Sequence, residues 1–80
     1  MRILVVDDEA LARERLIALI REIGEPYQVV GSAANGAEAL RMFARSPVDL
    51  VLMDIRMPGL DGLETAKLLA ETELPPAVIF

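Results

Sequence analysis

Eighty residues, with 13 Asp and Glu against 8 Lys and Arg for a formal net charge of -5, make one small domain that buries only about 60 to 65% of its unfolded surface. That acidic balance, with no basic cluster, excludes a direct grip on a nucleic-acid backbone by this segment. The absence of cysteine and histidine excludes a disulfide framework and thiolate or imidazole ligands, so any metal chemistry would rest on carboxylates and carbonyls.

The composition is 54% apolar but only 4% aromatic, which calls for a core of Leu, Ile, Val, Ala and Met in close-packed aliphatic layers. The first element is Ile3-Leu4-Val5-Val6, a buried strand with Asp7 and Asp8 at its exit. These aspartates interrupt the apolar run too early for a signal peptide or a membrane span. The chain therefore reads as cytoplasmic, without a membrane partner. Ala12, Leu16, Leu19, Ile20 and Ile23 then recur at helical spacing, predicting an amphipathic helix over roughly residues 9 to 23 that Gly24 and Pro26 stop. Its alternating Arg and Glu residues read as a solvated face.

Tyr27 to Ala33 forms a second strand, less continuously apolar and so nearer a sheet edge. Asn35 with Glu38 has the form of an N-cap and capping box, opening a second helix with Ala39, Leu40, Phe43 and Ala44 that ends before Pro47. Leu50 to Met53 is apolar enough for a strand covered on both faces, and it ends on Asp54. Pro58 and Gly59 shape the loop that follows. Asp61 with Glu64 repeats the cap signal before Leu63, Ala66, Leu69 and Ala70, and Ala77 to Phe80 begins a fourth strand.

The order β-α-β-α-β-α-β with short connections gives an α/β fold, a parallel sheet flanked by helices. Such sheets place their chemistry beyond the carboxyl ends of the strands. Two adjacent strands would deliver Asp7, Asp8 and Asp54 to one edge, where they repel one another unless a hard cation sits between them; Mg²⁺ suits carboxylate, carbonyl and water oxygens. A divalent ion there would also neutralise a phosphoryl group arriving at Asp54, which could act as a nucleophile. Taken singly, the Asp-Asp pair reads as turn and cap chemistry, and Asp54 as no more than that; together they point to a site.

Leu4-Val5-Val6-Asp7-Asp8-Glu9, Asp49-Leu50-Val51-Leu52-Met53-Asp54 and Met57-Pro58-Gly59-Leu60-Asp61-Gly62 resemble, in order and spacing, the receiver domain of two-component response regulators. The resemblance runs over the whole chain. It implies a flavodoxin-like sheet of strand order 2-1-3-4-5, as in the chemotaxis receiver, phosphorylated on Asp54 by a histidine kinase. It implies Mg²⁺ held by Asp8, Asp54 and the Arg56 backbone carbonyl, with Asp7 acting on the ion mostly through water. On this reading residues 1 to 80 are the N-terminal portion of a receiver, through its fourth strand. The family's Ser or Thr after the fourth strand and Lys after the fifth fall outside these residues, and Lys67 matches no family motif.

Glu9 to Leu16 with Ile55 to Gly62 resemble more narrowly the receivers of LytTR-type transcriptional regulators, which implies a DNA-binding output domain in the parent protein. Two other readings stand beside the phosphoacceptor. One is a haloacid-dehalogenase-like phosphohydrolase, whose Asp-x-Asp signature is absent at Asp7 and Asp54; the other is a phosphorylation-incompetent module that works through its surfaces. The fourth strand, ending apolar and unblunted, is expected to self-associate as a sheet edge. As a receiver the chain accepts a phosphoryl group without being a turnover enzyme.

Overall fold

A computed structural model describes residues 1–54 and 62–80. The expectations placed on Arg56, Met57, Pro58, Gly59 and Asp61 lie outside the described residues. Within them the chain runs β1 (Arg2–Val6), α1 (Ala10–Ile23), β2 (Gln28–Ala33), α2 (Gly36–Arg45), β3 (Leu50–Met53), α3 (Gly62–Ala70) and β4 (Ala77–Ile79). The strands form one sheet in the order β2-β1-β3-β4, and every pairing is parallel. This is the α/β architecture expected from the sequence, with the more polar second strand at an edge.

Alternation along β1 divides the core. Leu4 and Val6 point to the side of α2 and α3, where they meet Phe43, Val51, Met53 and Leu69, while Ile3 and Val5 point to the opposite side, against Ile20 of α1. Leu69 is fully buried, which contributes about 1.5–3 kcal/mol relative to an exposed leucine.

The two faces are not equally covered. Val51 and Met53 of β3 are buried, whereas Leu50 and Leu52 are only half-buried, so the expectation of a strand covered on both faces holds on one face alone. The cause is width. A helix about 10 Å across spans about two strands spaced 4.8 Å apart, and α1 packs over β1 and β2. The α1 stripe is also narrower than its spacing predicts. Leu16, Ile17 and Ile20 face the sheet, but Leu19 and Ile23 are 57% and 68% exposed, on a shoulder that no described element covers. In α3 the inward face is Gly62, Thr65 and Leu69, leaving Leu63 exposed.

The helix ends follow local chemistry. Asn35 caps α2, its side chain accepting from the Glu38 N–H at 2.8 Å, as the sequence predicts. Gly24 ends α1 at φ 76, a left-handed conformation that glycine adopts without a Cβ penalty. At Gly31 a Cβ would lie 2.6 Å from Met42 Cε, the end of a flexible side chain that can turn aside. Gly31 sits where the β1–β2 register shifts, Ile3 facing Val29 and Leu4 facing Gly31.

Polar bonds pin the β1–β3 register at both ends. At the entry, the Arg2 N–H donates to Asp49 Oδ2 at 2.6 Å and the Asp49 N–H donates to the Arg2 carbonyl at 2.9 Å. At the exit, the Asp54 N–H donates to the Val6 carbonyl at 2.9 Å. On the other side of the sheet, among the described residues, β4 pairs with β3 alone, and Ile79 and Phe80 are more than half exposed.

Candidate functional site

Register builds the site. Val6 pairs with Met53 across the parallel β1–β3 ladder, so the next residue on each strand, Asp7 and Asp54, emerges side by side at the carboxyl ends. Asp8 follows in the bend that leads to α1. The structure brings the three predicted aspartates together: each offers a carboxylate oxygen, and these oxygens all lie within 4.8 Å of one another. Asp7 and Asp54 are half-buried and Asp8 is exposed. A cavity of about 340 Å³ opens beside them, lined by Asp7, Asp54, Leu16, Leu52, Ile79 and Phe80 among others.

Two negative charges at this spacing repel by about 1 kcal/mol in water and by a few kcal/mol at an effective dielectric of 20. A divalent cation relieves that repulsion. Oxygens around an octahedral Mg²⁺ stand about 2.9 Å apart when adjacent and about 4.1 Å apart when opposite, so modest side-chain rotation would close these carboxylates onto one ion. The donor set is all oxygen, which suits Mg²⁺ and excludes the soft metals. Among the described residues this is the one group of three or more acidic side chains close enough to share a metal. Arg56, expected to add its backbone carbonyl, lies outside the described residues.

Asp7 is held at every polar group but one. Its N–H donates to the Ala33 carbonyl at 3.1 Å, and its Oδ1 accepts from the Glu9 N–H at 2.9 Å, the local turn that aspartate forms two residues ahead of itself. Its carbonyl accepts from Arg13 Nη1 at 2.7 Å. Oδ2 is the oxygen that these bonds leave for an ion or its water shell. Arg13 is therefore misplaced by the sequence reading, which assigned it to a solvated face. The signal that could have found it is direction: side chains on a helix lean toward its N-terminus, so an arginine one turn into α1 reaches back to the strand exit.

Residues 3–80 match the family described as response regulator receiver domain. The chain is similar, at 56% identity over 81 residues, to the positive alginate biosynthesis regulatory protein of Pseudomonas aeruginosa, covering 100% of this chain and 32% of that protein. It is 40% identical over 78 residues to the transcriptional regulatory protein PdtaR of Mycobacterium tuberculosis, covering 98% of this chain and 37% of PdtaR. It thus spans about a third of the length of these curated relatives. Among solved structures it resembles a chain in the crystal structure of the P1 domain of CheA3 in complex with CheY6 from R. sphaeroides, with a TM-score of 0.80, 37% identity, and coverage of 96% of this chain and 59% of that one.

If the three aspartates form a cation site, Mg²⁺ should bind weakly and Asp54→Ala should weaken it most, followed by Asp8→Ala, by on the order of tenfold or more. Titration followed by amide chemical shifts or calorimetry checks this; unchanged affinity in both variants would remove the metal centre.

Proposed function

The chain belongs to the response regulator receiver domain family of two-component systems, and from that premise we propose that Asp54 accepts a phosphoryl group from the phosphohistidine of a histidine kinase. Receivers of this family are phosphoacceptors, and the observation that supports carrying the role to this chain is the convergence of Asp7, Asp8 and Asp54 at adjacent strand exits. In the transfer, a carboxylate oxygen of Asp54 forms a bond to phosphorus as the phosphorus–nitrogen bond of the phosphohistidine breaks. The electron pair leaves with the imidazole, and Asp54 becomes an acyl phosphate.

Asp7, Asp8, Asp54 and the Arg56 carbonyl are the proposed holders of Mg²⁺. When bound there, the ion neutralises charge on the phosphoryl oxygens. The protein's own part is placement. The Asp54 N–H bond to Val6 fixes the nucleophile's backbone, and the pinned Asp7 turn keeps a second carboxylate beside it. Family membership leaves the phosphohydrolase reading without support, and accepting one phosphoryl group is not turnover. The full protein around this domain is proposed to be a cytoplasmic regulator of transcription with a DNA-binding output domain. The naming of PdtaR as a transcriptional regulatory protein supports the transcriptional part of this reading. No helix among the described residues is long and apolar enough to cross a membrane.

The alternative is an interaction module that works through its surfaces without accepting phosphate; among the described residues the outer edge of β4 is unpaired, with Ile79 and Phe80 exposed beside it. A second copy of the chain is the partner proposed for that edge. Light scattering over a concentration series should show association of the 80-residue chain that Ile79→Lys reduces; a wild-type chain monomeric at high concentration would contradict it.

Phosphotransfer is tested with a labelled phosphohistidine donor domain and Mg²⁺. Label should move to the wild-type chain and not to Asp54→Asn. Equal labelling of the two would place the acceptor elsewhere, and no labelling of either would favour the interaction module.

A further inference from the structure

The β1–α1 turn carries two of the three clustered carboxylates, yet among the described residues the Asp8 side chain makes no hydrogen bond, and it is exposed. Its position is set by its neighbours. Glu9, the N-cap of α1, makes no side-chain cap bond, so the turn is not fixed from the helix side in the usual way. What fixes it is Asp7, through Ala33, Glu9 and Arg13. Of these three bonds, the one from Glu9 uses the same carboxylate that would face an ion. The one from Arg13 does not: the guanidinium takes the backbone carbonyl, at 2.7 Å in a half-buried setting, and leaves both carboxylates of the turn directed by the chain.

We propose that Arg13 is a positioning residue of the phosphoacceptor site, a clamp on the Asp7 carbonyl that holds the Asp7–Asp8 turn in the form able to receive a cation. This rests on the reading of Asp7, Asp8 and Asp54 as a Mg²⁺ site. Arginine suits the role because it cannot lose its charge and its N–H groups sit in a rigid fork, while charge-assisted bonds of this kind are stronger than neutral ones.

The clamp and a plain charge effect predict opposite signs. A guanidinium beside a cation site repels the ion, so if charge were its whole influence, neutralising Arg13 would tighten Mg²⁺ binding. If Arg13 positions the turn, neutralising it loosens binding. The test uses the full chain as wild type, Arg13→Met, which keeps an apolar stem without the donors, and Arg13→Lys, which keeps a charged donor. Mg²⁺ affinity in Arg13→Met should fall by on the order of tenfold, with partial recovery in Arg13→Lys. Without Mg²⁺, exchange of the Glu9 amide hydrogen should quicken in Arg13→Met while amides in the paired β1 and β3 strands keep their protection.

Affinity equal to or tighter than wild type would overturn the proposal, as would unchanged Glu9 exchange. Protection lost equally across β1 and β3 would also overturn it, by showing Arg13 to be a general stabiliser. If the wild type itself takes up no Mg²⁺, the metal reading fails, whereas the exchange comparison still judges the clamp.

Discussion

The parallel pairing of β1 with β3 is the constraint from which the rest follows. Asp7 and Asp54 are 47 positions apart in the chain, and they become neighbours because Val6 and Met53 are paired. Polar bonds between Arg2 and Asp49 at one end and from Asp54 to Val6 at the other leave little room for slippage. A slip of β1 by one residue against β3 would turn Leu4 and Val6 away from Val51, Met53 and the side of α2 and α3, and would carry Asp7 out of step with Asp54. Core and site therefore share one register, and neither could shift without the other.

On the proposed function, the site places negative charge where a more negative ligand arrives. Three carboxylates with oxygens within 4.8 Å of one another would repel a phosphoryl group as well as one another, and a cation between protein and ligand would relieve both repulsions. The fold supports this at small cost. The backbone groups of Asp7 are tied to Ala33 and Arg13, both outside the acidic cluster, so holding the turn uses only one carboxylate oxygen, Asp7 Oδ1.

The elements, their order and the three aspartates were legible because each rests on a strong local signal: short apolar runs ending on charge, helical spacing, and the Asn35 cap. What was not legible depended on the width of one element against another. Leu19 and Ile23 carry the helical period but lie on a shoulder of α1 that no described element covers, and Leu50 and Leu52 are half-bare where α1 packs chiefly over β1 and β2. Periodicity tells which residues share a face, not how far that face is covered. Thr65, fully buried on α3, and Arg13, bonded back to Asp7, escaped for a related reason. Polar residues at helical positions read as solvated until the direction of the side chain is known.

The central claim is that Asp54 accepts phosphate with the help of a cation held by its neighbours, and intact mass tests it most directly. The chain is treated with a small-molecule phosphodonor, once with Mg²⁺ and once with a chelator. The account predicts the mass of one added phosphoryl group with Mg²⁺ alone, lost on mild alkaline treatment as an acyl phosphate should be. An adduct that forms equally well under chelation, or that survives alkali, would contradict it.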